Sequence, residues 1–390
     1  MIEDKIVVVS QARTAIGRFG GSLKSVGAVE LGAIALSEAI SRANLEPNQV
    51  ERVVAGENMQ VTARGNPARQ VLLKAGLPWT ANDYTINMNC ASGLRAMTCL
   101  AENLLTNDVA IGAAVGMENM SQSPYLLEGV RWGLRLGNGE VVDFLGDYIL
   151  GDAGPMAEAV AEKYGISRSR QDKFAVESQS RARDAIEAGR FADDIVPVEI
   201  LGTKGHSTEF AVDEHPRPDI DLTKLAKLSP AFLDHGTVTA GNSSGINDGA
   251  AAIIMMREST AHRLGLRPRA VLKAWAAAGV DPALFGIGPV PATLEVMRRA
   301  GLKMEDLDLV EINEAFAAST LAAIDELNLD PDRTNVNGGA IALGHPVGAT
   351  GLVLVIKLIG ELERRAARLG LVTMCVGNGQ GMSVVLERVA

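Results

Sequence analysis

The chain has 390 residues, 47% hydrophobic, 22% charged and only 4% aromatic, with 41 glycines and a formal net charge of -10. That apolar fraction excludes intrinsic disorder, the absence of a short repeat excludes collagen-like and coiled-coil architectures, and the length predicts several units with substantial cores. An acidic balance without basic clusters argues against nucleic acid or an anionic membrane surface as the main partner, so an anionic ligand must be met by local cations.

The N-terminus, MIEDKIVVVS, moves from acidic residues straight into a Val run and lacks the basic and apolar regions of a signal peptide. No uncharged apolar stretch reaches the roughly 18 residues of a membrane helix. A soluble protein starting at Met1 is expected. Three cysteines are too few for a disulfide framework and leave an odd thiol, which favours a reducing compartment, by default the cytoplasm.

Along the chain, IVVVS at 6–10 reads as a strand, 27–43 as an Ala-rich helix and RVVAGE at 52–57 as a second strand. This rhythm predicts α/β layering around a parallel or mixed sheet. From about 119 to 245 the texture changes to Gly-rich turns, charged helices and a loop with Pro197, Pro216, Pro218 and Pro230, which reads as an inserted domain. Strand and helix texture returns at GAAAIIMM. The expected organisation is an N-terminal half over 1–118, an inserted loop domain over 119–245, completion of the first half over 246–268 and a C-terminal half over 269–390. An internal echo fits the two halves: Cys-Ala-Ser-Gly-Leu at 90–94 recurs as Gly-Ala-Thr-Gly-Leu at 348–352, each opening an amphipathic helix.

Cys90 falls between the strand-like DYTINMN and the helix ASGLRAMTCLAENLL. There its sulfur would face backbone N–H groups and the positive end of the helix dipole, which lower a thiol pKa, although a buried structural cysteine is the other reading. Cys99, further along that helix, fits the structural reading better. Of the five histidines, His206, His215, His235 and His262 lie in polar loop or helix-end contexts, whereas His345 in GHPVGATG is held by Gly344, Pro346 and Gly348 just before a helix. Cys375 ends a strand beside the glycine turn VGNGQGM. A Cys, a His and a second Cys suggest a nucleophile, its base and a separate acid or base. Zinc competes poorly, since positions 90, 345 and 375 form no CxxC or HxxxH pair, and no metal is expected. Asn313, where DLVEI turns into a helix, can cap that helix or orient a water, and Glu314 beside it can orient a histidine or stay solvated.

Two other patterns compete. GNSSG at 241–245 matches a hydrolase elbow around Ser243, with Asp248 and His345 following, but the turn continues through Asn247 instead of entering a helix. GNGQG at 377–381 has two steps of a dinucleotide loop but no room for a βαβ unit after it, so no nicotinamide cofactor is expected.

Four blocks together resemble the thiolases: NCASGLRAM around Cys90, NEAFA at 313–317, NVNGGAIALGHPVGATG at 335–351 and MCVGNGQG at 374–381. The similarity also takes in VVSQARTAIGRFGGSL near the start and TVTAGNSSGINDGAAA, so it spans nearly the whole chain. It implies a five-layered αβαβα fold of two similar halves with a loop domain inserted in the first. It further implies that Cys90 is the acylated nucleophile, His345 its base and Cys375 the acid or base at the α-carbon. Asn313 would work with His345, through a water, on a thioester oxygen, while the N–H groups of Cys90 and Gly377 form a second oxyanion hole. Arg217, Phe232, Ser244 and Phe316 match family positions that hold CoA and substrate. CoA is then a substrate, with no separate cofactor. The implied activity is acetoacetyl-CoA thiolase chemistry, acting on acetyl-CoA and 3-ketoacyl-CoA thioesters. The alternatives are a broader 3-ketoacyl-CoA thiolase and a thiolase-like protein that binds acyl-CoA without turning it over.

Two signals bear on acyl range and disagree. Where short-chain members often carry His-Met-Gly, this chain reads Asp152-Ala153-Gly154. Replacing a Met by Ala153 opens a space that favours longer chains by roughly 0.8 kcal/mol per buried methylene, provided nothing else fills it. Met156 is the residue that could do so. Activity on both acetoacetyl-CoA and 3-ketohexanoyl-CoA is expected on that reading, with Ala153→Met narrowing the range. Conversely, RWGLRLGNGEVVD at 131–143 resembles the loop through which short-chain thiolases tetramerise, so a homo-oligomer, dimer or tetramer, is expected.

Overall fold

Strands that are apolar on both faces need cover on both sides, and Ile111–Asn119 and Asn247–Arg257 are buried at almost every position. The computed structural model, which describes residues 4–134, 136–146, 152–202 and 206–389, supplies those covers as stacked layers. In the first half the strands lie in the order Asn82–Ile86, Arg52–Gly56, Ile111–Asn119, Asn247–Arg257 and Ile6–Thr14. Pairing is parallel at the first two steps and antiparallel at the next two.

The second half repeats this pattern. Leu309–Ile312 pairs parallel with Leu369–Val376, which pairs antiparallel with Gln380–Arg388, which pairs antiparallel with Ala270–Gly279. The place taken in the first half by Asn82–Ile86 is reduced to a lone parallel bridge between Val310 and Thr334. The halves join edge to edge where Val7 and Val8 pair with Val271 and Ala270, so the ladder runs on as one sheet instead of stopping as two.

Period-two alternation sorts the side chains into layers. Val115, Met117, Ile254 and Met256 face outward to the helices Ala28–Arg42 and Pro67–Lys74. Ala114, Ile253 and Met255 face inward to Ser92–Leu105 and Val347–Arg364, which also receive Val372, Val384 and Leu386 from the second half. On the far side Leu371 and Val385 pack under Pro289–Ala300. The result is the five-layered αβαβα arrangement. Val347–Arg364 is buried without interruption from Val347 to Ile359, as a helix sandwiched between sheets must be.

Backbone contact between the two central helices fixes the site. A Cβ on Gly93 would sit 2.7 Å from the Gly348 carbonyl oxygen, and one on Gly351 would sit 2.7 Å from the Leu94 Cβ. Only glycine permits that approach. It brings together the two helix starts that Cys90 and His345 precede.

Between Ile111–Asn119 and Asn247–Arg257 the chain makes a long excursion with the hairpin Tyr125–Glu128 and Glu140–Asp143 and the helices Ala153–Lys163 and Arg168–Glu187. At the same topological point the second half has only the turn from Gly377 to Gly379. The excursion is tied to the core: Ile195 and Val196 pair with Arg13 and Thr14, and the buried Asp213 takes both Arg13 Nη1 and Nη2 at 2.7 and 2.9 Å. Among the described residues no helix is long and apolar enough to cross a membrane.

Candidate active site

Strand Asn82–Ile86 runs into a tight loop before the helix Ser92–Leu105. Asn89 takes a positive φ of 45°, which Asn tolerates better than most residues. The Ser92 hydroxyl accepts from Met88 N at 2.9 Å and donates to Asn89 O at 2.7 Å, closing the loop that presents Cys90. Asn89 Nδ2 donates to Gly377 O at 3.0 Å, which docks the turn from the second half against the thiol. Cys90 is buried, and burial pushes its thiol up to about 11. The N–H groups of Gly377 and of Cys90 itself pull the other way. The lowered thiol pKa expected from the helix dipole is therefore not found, because desolvation of a buried thiolate outweighs the backbone donors. Cys375, at the end of Leu369–Val376, is also buried, and burial together with the nearby Cys90 raises its thiol far above the usual range.

His345 is held from three sides. Its N–H donates to Asn247 Oδ1 at 2.9 Å, and Gly344 before it has a φ of 103° where a Cβ would strike the Asn247 amide. Its Nδ1 lies 2.6 Å from Thr350 Oγ1, which is 2.8 Å from Pro346 O. A carbonyl can only accept, so the Thr350 proton is committed to Pro346 and the hydroxyl accepts from Nδ1–H. The imidazole lone pair therefore sits on Nε2, where Asn313 Nδ2 approaches at 3.4 Å. Burial lowers the His345 pKa to about 4, so the ring is neutral near pH 7 and able to accept a proton. Asn313 does not cap the following helix, whose N-cap is Phe316 without a side-chain bond. Its Oδ1 is buried without a protein partner, as at a site for a water or a substrate donor.

A cavity of about 390 Å³ opens onto His345, lined among others by Ala153, Phe232, Ser244, Phe316 and Val347. The Phe316 ring stands edge-on to Phe232, with centroids 6.3 Å apart. A neutral, lone-pair-bearing imidazole at the end of an apolar cleft and, separately, two buried thiols with two backbone donors are the parts that acyl transfer through sulfur needs.

Residues 6–259 match the family described as thiolase, N-terminal domain, and residues 266–388 the family described as thiolase, C-terminal domain. The chain belongs to the thiolase family. It is 47% identical to an acetyl-CoA acetyltransferase of Chromobacterium violaceum, with 98% of this chain and 100% of the relative covered. It is 46% identical to the beta-ketothiolase BktB of Cupriavidus necator, with 99% of each covered. The crystal structure of the Bacillus anthracis acetyl-CoA acetyltransferase superposes with a TM-score of 0.97 at 42% identity, covering 99% of both chains.

In this thiolase the motif residues fall into two groups. Cys90, Gly377 and Cys375 meet where the Gly377 turn docks on the Cys90 loop, and Asn313 and His345 meet beside the cavity. Ala153, Phe232, Ser244 and Phe316 line the cavity, whereas Arg217 does not. Arg217 is exposed, with its N–H on Gln179 Oε1 at 2.8 Å. Burial, aided by the charge of nearby Arg217, lowers the pKa of His215 to about 4, and that ring faces Gly245 at the cavity wall.

Glu314 faces away from His345: it accepts from Ser178 Oγ at 2.6 Å, Asn335 Nδ2 at 2.8 Å and Ile341 N at 3.2 Å, bracing the loop behind Asn313. Ser243 donates to Thr239 O at 2.8 Å, and Asp248 accepts from Ser121, so the three parts of the hydrolase pattern are each committed elsewhere. The GNGQG run is a hairpin turn between antiparallel strands. Sequence reasoning passed over Thr350 and Glu118. The latter is a buried carboxylate that accepts from Asn58 N, Met59 N and Gly348 N at 3.0, 3.0 and 2.9 Å. The only sign of Thr350 was a hydroxyl five residues after His345 in a glycine-framed helix start.

Proposed function

We propose that this thiolase is an acetyl-CoA C-acetyltransferase, condensing two acetyl-CoA reversibly to acetoacetyl-CoA and CoA through an acyl group on Cys90. The observation that carries the reading is the Cys90 sulfur under the N–H groups of Cys90 and Gly377, with the Cys375 thiol close by. As sulfur bonds to the thioester carbonyl, His345 Nε2 takes the thiol proton, and the carbonyl oxygen gathers charge against those two N–H groups. The bond to CoA sulfur then breaks, and the leaving thiolate takes the proton of the Cys375 thiol while His345 keeps the proton from Cys90. The Cys375 thiolate left behind removes an α-proton from the second acetyl-CoA, whose oxygen rests between His345 and the Asn313 water. The enolate carbon bonds to the acetyl carbonyl, and Cys90 departs, taking back its proton from His345, so that both thiols and the imidazole end neutral. One thioester bond is broken for each carbon–carbon bond formed.

CoA would enter by the cleft of Phe232, Ser244 and Phe316, with Arg217 and its surroundings supplying the local cation that a chain of charge -10 needs. The proposal includes no cofactor apart from the CoA thioesters, no nucleic-acid or membrane partner, a cytoplasmic site of action in lipid metabolism and a homotetramer. Exposed apolar side chains on the loop after Tyr125–Glu128 support self-association. A broader 3-ketoacyl-CoA thiolase is the second reading, favoured by the small Ala153 on the cavity wall.

Mass spectrometry after mixing with acetoacetyl-CoA is expected to find acetyl on Cys90. Cys375→Ala is expected to keep that label while losing exchange of acetyl-CoA methyl protons with solvent deuterium. Label only on Cys99, Cys375 or Ser243, or none at all as a mere acyl-CoA binder would give, overturns the proposal.

A further inference from the structure

A small residue widens a pocket only where the vacated space stays empty. Ala153 does line the cavity, but its other neighbours form a closed apolar cluster: Phe285, Ala315 and Cys375 at the centre, with Met156 and Phe316 packed around them. Phe285 is only 2% exposed, and its ring stands edge-on to Phe316 with centroids 6.5 Å apart at 79°. A rigid segment carries it. The segment Pro282–Ile287, two short helical turns joined at a kink at Leu284, is capped by Asp281, which accepts from Ala283 N at 3.0 Å. Cβ atoms on Gly286 and Gly288 would sit 2.1 Å from the Ser319 hydroxyl and from the Gln380 carbonyl oxygen, so the segment is pressed against both neighbours. Phe232, the other ring edge-on to Phe316, is 39% exposed instead.

Resting on the thiolase reading of the site, we propose that Phe285, with Met156 as the softer second wall, sets the acyl-chain length. Substrates are then confined to short 3-ketoacyl-CoA thioesters, with the four-carbon one foremost. The acyl group on Cys90 must lie within reach of Cys375 for the α-carbon to react, and Phe285 packs with Cys375 in one cluster. Each added methylene therefore grows toward a ring that has no empty space to enter. Displacing an aromatic side chain from a filled core is unfavourable, and a rigid segment relaxes little. Met156 can change rotamer, so its influence is graded where that of Phe285 is abrupt. Ala153 is small because Phe285 and Met156 already occupy the neighbouring space.

The test measures kcat/KM for thiolysis of acetoacetyl-CoA, 3-ketohexanoyl-CoA and 3-ketooctanoyl-CoA in the full-length protein. The parent is expected to favour the four-carbon substrate over the six-carbon one by at least tenfold. Phe285→Ala is expected to shift that ratio toward the longer substrates by at least tenfold, and Phe285→Leu, which preserves more of the core, to shift it the same way by a smaller factor. Met156→Ala falls between them. Ala153→Met adds bulk where space is already taken and is expected to lower both rates together. A ratio unchanged in both Phe285 variants, with thermal unfolding showing them folded, overturns the inference while leaving the thiolase reading intact, as does a parent that uses all three substrates equally. Absence of thiolysis on every substrate in the parent removes the thiolase reading itself and this inference with it.

Discussion

Burial holds the Cys90 thiol up at about 11 although two backbone N–H groups reach its sulfur, and it holds His345 down at about 4. The resting pair is therefore neutral thiol and neutral imidazole, and proton transfer must accompany attack on the carbonyl. Alkylation of Cys90 by iodoacetamide, followed at that residue by mass spectrometry, is expected to rise about tenfold per pH unit between pH 7 and 10. A rate already level below pH 8 would mean a preformed thiolate and contradict the neutral pair.

Thr350 fixes which imidazole nitrogen carries the proton, since its own proton is given to Pro346. Thr350→Val is expected to lower kcat roughly tenfold to a hundredfold at nearly constant KM, and Thr350→Ser to restore it, because a general base in the wrong tautomer cannot accept. Wild-type kcat in the Val variant would remove Thr350 from the machinery. The sequence made His345 legible because glycine and proline around it shape a backbone instead of filling a core. Thr350 acts only through the ring it touches, and a threonine in a helix start carries no mark of that. The state of Cys90 was misjudged for a related reason: helix position can be read from sequence, but the depth of burial that outweighs it cannot.

At the scale of elements, the echo between 90–94 and 348–352 marks two helices that meet through glycine and follow equivalent turns. What the echo could not show is that one strand of the repeat shrinks to a bridge, or that the long excursion replaces the Gly377 turn, since both depend on lengths of chain between matching points. The C-terminal end of the strand Arg52–Gly56 holds a further consequence of this packing. Glu57 follows it, fully buried, and burial together with the charge of Glu118 pushes it up to about 9, against a weaker hydrogen-bonding pull from Thr62. Glu118 itself is raised to about 7 by burial, opposed by its three backbone donors.

A carboxyl whose folded pKa lies above its unfolded value stabilises the fold at low pH and loses that contribution as pH climbs toward the folded value. Between about pH 4.5 and 9, Glu57 therefore withdraws up to about 1.4 kcal/mol of stability per pH unit. Glu57→Gln, which cannot ionise, is expected to flatten the decline of the unfolding free energy from urea titrations between pH 7 and 9, by up to about 1.4 kcal/mol per pH unit. Parallel declines in the two proteins would show that Glu57 does not carry the proton in the folded state.

For the whole molecule, the inserted stretch is bound to the core through the buried Arg13 and Asp213 pair and an added strand, yet its outermost hairpin carries large apolar side chains exposed to water. Residue 135 lies outside the described residues, but on either side of it Trp132 is 86% exposed, and Leu134 and Leu136 are exposed as well, close to the exposed Leu127 and Val141 of the hairpin strands. Large apolar residues gathered on one projecting hairpin are costly in water, and a second copy of the same surface would cover them with closed symmetry. A net charge of -10 opposes association at long range, so the contact must rest on short-range apolar burial and persist at high salt. Sedimentation at 0.15 and 1 M salt is expected to give about four times the 41.0 kDa chain mass in both. The double variant Trp132→Glu with Leu136→Glu is expected to fall to about twice the chain mass while still taking acetyl on Cys90, because the hairpin contributes none of the reacting groups. Equal masses for parent and variant would mean that this hairpin holds no copies together.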